Sequence, residues 1–290
     1  MRVVLHDISS VRTLLGQKPL FRMGLGVLQT SLNRSDNAEE VADVIHLATA
    51  LLNTVHSIDS LPSEVTGSRG SRRGFDDAVE EAATDDEEAP LAMEAFLREG
   101  GAPVMEKCLA LAAKYRNNCS MHSDIVHLYQ ETGRVLAAQR FCEHATFNSS
   151  AARRFAMDAA KLYQAFVKNV TLTVKKCALP RGGVDAHGVG LGPDVATLSF
   201  MESLARSLSA GSRARGACMG IAPATEKVLD AVKAMAASRK TAGVVCHLLC
   251  ALEKITQHEA EHHKTLSTLA ANVTQDRTKV FLAILKKKLK

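Results

Sequence analysis

An all-α fold is the expectation from the sequence, and three observations support it. Apolar residues recur at steps of three and four through most of the chain, and runs of β-branched residues bounded by turn signals are scarce. Tryptophan is absent and aromatic residues make up only 4% of the chain. With 46% hydrophobic residues in a length of 290, the chain can bury a substantial core as one extended domain or two compact ones.

The elements follow in order. "KPLFRMGLGVLQTSL" and "NAEEVADVIHLATALLNTVHSI" place apolar residues on one helical face each, with Asp36 or Asn37 positioned to cap the second, and they look like an antiparallel pair. "APLAMEAFLREGG" stops at Gly100-Gly101, "APVMEKCLALAAKYRNN" begins with Pro103 in its first turn, and "HSDIVHLYQETGRVLAAQRFCEHA" runs on from a Ser123 cap. "SSAARRFAMDAAKLYQAFVKNVTLTVKKCAL" reads as helix, its Thr-Leu-Thr-Val stretch being weakly strand-like. "DVATLSFMESLARSLSA", "APATEKVLDAVKAMAAS", "KTAGVVCHLLCALEKITQ", "EAEHHKTLSTLAANV" and "DRTKVFLAILKKKLK" complete the series.

Two segments interrupt it. Residues 61–90 turn from Gly/Ser/Arg to nearly pure acid and offer too few apolar positions to repay ordering, as expected of a disordered linker or insertion. Residues 179–193 are glycine-rich between two prolines and read as an irregular loop. The organisation expected is therefore an N-terminal helical block over 1–60, the acidic segment 61–90, helical repeats over 91–178, the loop 179–193, and C-terminal helical repeats with a basic tail over 194–290.

Formal charge is +5, unevenly spread. Between Pro62 and Pro90 there are three Arg against nine acids, so the rest of the chain is basic, which suits protein partners with acidic surfaces. The seven Cys are scattered within apolar helical patterns, as expected of reduced thiols in a cytoplasmic protein. The basic start, with four Arg or Lys and one acid in 25 residues, keeps mitochondrial import as a minority alternative. No apolar run reaches the roughly 20 residues of a membrane span, so no transmembrane segment is expected.

Helix pairs return at roughly 40 to 48 residues, a helical-repeat period. Residues 96–136, "FLREGGAPVMEKCLALAAKY…NNCSMHSDIVHLYQETGRVL", resemble an armadillo repeat: a short helix ending in Gly-Gly, a small residue and Pro opening the second helix, an Asn-bearing loop, and a third helix. The resemblance implies an armadillo/HEAT-like α-solenoid, a superhelix of stacked helix pairs whose surface grips another protein. Armadillo proteins that bind extended peptides line their groove with repeated Asn and Trp. With no Trp here, the resemblance favours a scaffold or lateral docking surface over an importin-like groove. Asn117, Asn118 and the helix over 123–136 are the candidate groove residues that it marks.

The chemistry-bearing motifs point elsewhere more weakly. His258-Glu259-Ala260-Glu261-His262 has zinc-protease spacing, but Glu261 is charged where that buried helix is apolar, and no downstream third ligand follows. Cys246, Cys250, His258 and His262 would form a four-ligand zinc site only if a turn broke "ALEKITQ". As continuous helix it holds the pairs about 12 Å apart. Glu259 and His262 lack the second Glu-x-x-His of a di-iron bundle. Gly188, Gly190 and Gly192 lack the strand, helix or Lys-Ser/Thr of a phosphate loop. The Arg-flanked "GSRGSRRG" reads as solvated linker, and no Gly-x-Ser-x-Gly elbow is present. In the tail, Lys286, Lys287, Lys288 and Lys290 follow an apolar helix face and are candidates for docking an acidic surface.

The reading that results is a non-enzymatic protein-interaction scaffold with no cofactor and no metal, in the cytoplasm and set in a larger cytoskeletal or flagellar assembly. Two competing readings remain: a zinc-binding helical protein or hydrolase using His258 and His262, and an RNA-binding helical-repeat protein. For the latter the chain lacks a repeated base-reading pattern, so nucleic acid is the weaker partner.

Overall fold

In the computed structural model, residues 18–59, 92–137, 150–178, 193–212, 221–235 and 238–256 are described. The basic stretch before Lys18, the acidic segment 61–90, the glycine-rich loop up to Gly192 and the chain after Thr256 lie outside the described residues. Among the described residues there are nine α-helices and no β-strand: α1 Lys18–Arg34, α2 Ala38–Asp59, α3 Ala92–Arg98, α4 Gly101–Lys114, α5 His122–Ala137, α6 Ser150–Ala178, α7 Val195–Gly211, α8 Ile221–Met235 and α9 Ala242–Thr256.

Helix starts follow local chemistry. Asn37 is the cap of α2: its Oδ1 accepts from the Glu40 N–H at 2.9 Å, while the Glu40 carboxylate accepts from the Asp36 N–H at 2.8 Å. Asp194 caps α7, accepting from the Thr197 N–H at 2.7 Å. Between α3 and α4, Gly100 takes φ of 92°, a left-handed conformation that a side chain would strain. Gly101 then lies so close to the Phe96 ring that a Cβ there would stand 2.4 Å from it.

One local expectation is corrected. Ser123 is not the cap of α5. Asn118 accepts from the Ser120 N–H and opens a 3-10 turn, Cys119–Met121, and His122 already has helical dihedrals, so Ser123 falls past the point where a cap can act. The helix expected through Thr-Leu-Thr-Val is present, since α6 continues to Ala178. The Thr171 and Thr173 hydroxyls donate to the carbonyls of Val167 and Asn169 at 2.8 and 2.7 Å, and Val170 and Val174 are fully buried. Burying a Val is worth about 1.5–3 kcal/mol against the ~0.7 kcal/mol or less that its helix propensity costs, so packing wins.

Packing arranges the helices in two rows. α2 packs on α5, α5 on α7 and α7 on α9; beneath them α4 packs on α6 and α6 on α8. Chain neighbours α4–α5, α6–α7 and α8–α9 join the rows, and α1 and α3 close the end over α2 and α4. From α4 onward the strongest packing is thus with the helix two places on, whereas α2 reaches three places to α5; one apolar cluster from Phe21 to Ile255 runs through both rows. The expected 40-to-48-residue spacing is not uniform, because α6 alone takes 29 residues.

Two features hold this arrangement. Asp59, buried at the end of α2, accepts from the backbone N–H groups of Ala92 and Met93 at 2.7 and 3.0 Å. The carboxylate satisfies two donors at the start of α3, so the chain leaves α2 and re-enters at a single point. The second is the crossing of α5 and α7. A Cβ on Gly133 would lie 2.9 Å from the Ser207 carbonyl oxygen, and one on Gly211 would lie 3.0 Å from Gly133 Cα and 2.7 Å from the Phe166 ring. Phe166, fully buried, fills the floor of the crossing beside Tyr129, whose hydroxyl donates to the Leu109 carbonyl at 3.0 Å.

One described helix, α2, is long and apolar enough to cross a membrane, but its Val41, Val44, Ile45, Ala48, Leu52 and Val55 belong to the shared core.

Replacing Gly133 by Val is expected to cost about 1–3 kcal/mol through overpacking against backbone, lowering the urea midpoint. Gly26 has open space around its Cβ position, so Gly26→Ala should raise stability by about 0.5–1 kcal/mol through helix propensity. Asp59→Ala should cost about 1–2 kcal/mol by uncapping α3, as read by thermal unfolding.

Candidate docking faces

The rows differ in charge. Among described side chains, α4, α6 and α8 carry eight Lys against four carboxylates, whereas α2, α5, α7 and α9 carry three Lys or Arg against seven carboxylates that reach the surface, Asp59 being buried. One outward face is therefore basic and the other acidic, a separation that would steer partners of opposite charge to opposite sides.

On the acidic row, many polar groups serve the joints between helices. His46 Nε2 lies 3.6 Å from the Asp124 carboxylate, tying α2 to α5, and His247 Nε2 lies 3.5 Å from Glu202, tying α9 to α7. Lys254 donates to the Ser209 carbonyl at 2.7 Å. The His122 ring stacks on Phe200 at 3.9 Å and 7°, with its Nε2 2.8 Å from the Arg116 carbonyl oxygen.

The basic row presents a different surface. The ridge of α6 that faces away from the core reads Met157, Lys161, Gln164, Lys168, Leu172, Lys176, at steps of three and four. Where it meets α4 and α8, Lys161, Gln164, Lys168, Glu106 and Lys227 line an open depression of about 220 Å³. Lys161 pairs with Asp158 on its own helix at 2.9 Å, and Lys168 reaches Glu106 only at 4.0 Å. Exposed pairs of this kind contribute at most about 1 kcal/mol, so a ligand carboxylate can displace them cheaply. Met157 is 56% exposed and Leu172 38% exposed at the two ends of the ridge.

The residues marked by sequence fall as follows. Asn117 is exposed in the turn after α4; Asn118 is half-buried, and its side chain is engaged in the 3-10 turn by Ser120, at 2.7 Å to the hydroxyl. Residues 123–136 form most of α5 on the acidic row, burying Ile125, Leu128, Tyr129 and Val135. Cys246 and Cys250 are half-buried one turn apart on α9, which is unbroken to Thr256. His258, His262, Lys286, Lys287, Lys288 and Lys290 lie outside the described residues. Among the described residues there is no group of three or more His, Cys, Asp or Glu able to hold a metal. The α6 ridge was not singled out from the sequence. Its period was legible there, but which helices flank it, and with what charge, was not.

The thiols divide by environment. Burial pushes the Cys108 thiol up to about 12, partly offset by a backbone hydrogen bond, whereas Cys119 is exposed. Burial likewise raises the Tyr129 hydroxyl, against a smaller opposing effect of a hydrogen bond with Thr173.

No family model matches the chain, and no curated protein matches it. A solved structure from "Computational Design of Self-Assembling Cyclic Protein Homooligomers" is similar over 97% of this chain and 93% of that one, at 14% identity and a TM-score of 0.41, a likeness too loose to bear on fold or function.

Iodoacetamide at neutral pH is expected to alkylate Cys119 in the native protein and spare Cys108 and Cys177, as mapped by peptide mass spectrometry. Because the folded value of Cys108 is raised above the free thiol's 9.0, its contribution to stability is complete below pH 9 and is lost as pH climbs toward 12. Urea midpoints should therefore fall from pH 9 upward, with Tyr129 acting in the same direction.

Proposed function

We propose that this chain is a non-enzymatic scaffold of the armadillo/HEAT-like α-solenoid type, which binds other proteins within a larger assembly. The observation that carries the reading is the stacking of helices in two rows, in which α4, α5, α6 and α7 each pack on the helix two places further along. In a solenoid, each hairpin is apolar on sides that only the next hairpin can cover. The armadillo-like pattern of residues 96–136 supports it, since α3, α4 and α5 occupy that stretch as short helix, second helix and third helix. Affinity in such a scaffold comes from a broad pre-stacked surface, and charge supplies steering and specificity. A cytoplasmic, cytoskeletal or flagellar complex is the setting proposed.

Affinity capture of the tagged full chain with lysine crosslinking tests this. A stoichiometric protein partner crosslinked to the helical rows is the expected result. Stoichiometric zinc that is lost in His258→Ala would overturn it in favour of the metal-dependent reading, and retention of RNA with a steep salt dependence would overturn it in favour of the nucleic-acid reading.

A further inference from the structure

We infer that the α6 ridge and the depression beside it form a docking site for an acidic protein segment carrying an apolar residue at each end. The inference rests on the scaffold reading and assigns its face and the chemistry of its partner.

Spacing comes first. Met157 and Leu172 stand on one helical face, and at about 1.5 Å per residue they are about 22 Å apart. Between them Lys161 and Lys168, two turns apart, share the depression with Lys227 from α8. An extended peptide rises about 3.3 Å per residue, so about seven residues span the two apolar contacts, with the intervening acids over the lysines.

Charge complementarity decides the occupant. Among described side chains, α4, α6 and α8 carry eight Lys against four carboxylates, and the two ion pairs that engage Lys161 and Lys168 are solvent-exposed, one of them stretched to 4.0 Å. A segment supplying carboxylates replaces weak pairs with better-placed ones while covering two side chains left in water. A phosphate backbone has no apolar residues to cover Met157 and Leu172. A partner with alternating carboxylates and apolar ends uses every group on the ridge.

The test is fluorescence anisotropy on the full chain, with a fluorescein-labelled heptapeptide bearing leucine at each end, which share one side of an extended chain, and alternating glutamate and aspartate between. Micromolar binding that weakens with added salt is expected. The Lys161→Glu/Lys168→Glu variant should lose at least about tenfold in affinity and Leu172→Ser about threefold to fivefold, while Arg206→Glu on the acidic row leaves binding unchanged. Melting by circular dichroism confirms that each variant is folded; these side chains are exposed, so the folds should hold. Undiminished binding by Lys161→Glu/Lys168→Glu overturns the assignment. So does tighter binding of a single-stranded RNA of equal charge, or salt-sensitive self-association in which the acidic row of a second copy occupies the ridge. If a partner captured from cells is retained in full by Lys161→Glu/Lys168→Glu, the assignment to this face fails while the scaffold reading stands.

Discussion

The close crossing of α5 and α7 at Gly133 and Gly211 is the constraint on which the rest of the structure depends. Two helices approach until backbone meets backbone, and the Phe166 ring from the other row closes the space beneath them. That single contact fixes the spacing within one row and the height of the other. A buried Phe of this kind is worth about 3–5 kcal/mol on truncation to Ala, well above any surface ion pair in the molecule. The order of importance is therefore packing first, caps second and surface charge last.

Surface charge, freed from holding the fold, is distributed by row. The carboxylates of the acidic row are drawn partly into joints, as with Asp124 beside His46 and Glu202 beside His247. The lysines of α6 face solvent around an open depression. This division gives the molecule two chemically different outward faces built on one continuous core. The exposed Met157 and Leu172 set apolar area, which salt does not screen, beside the lysines of the basic face.

Much of the architecture was legible along the chain. Helical periodicity, the Gly100-Gly101 stop and the Asn37 cap depend on neighbours within four residues, and they appear where local rules place them. Ser123 was misread because a preceding 3-10 turn replaced a local preference with a stronger contact, whereas Thr171–Val174, whose β-branched residues argue weakly for strand, stay helical because the core buries Val170 and Val174. Asn118 was marked as a groove residue by resemblance, yet its amide engages Ser120 in the local turn, a use that a motif does not reveal.

The sequence by itself determined that the chain is helical, where most described helices begin and end, and that basic charge predominates outside residues 61–90. Those properties are local or summed, so no knowledge of contacts is required. Only the tertiary structure decided that Asp59 meets Ala92, that Gly133 meets Gly211, and that lysines from α6 and α8 gather around one depression. Each of these joins residues distant in the chain, and a helix with apolar residues on several sides does not say which neighbour will cover them.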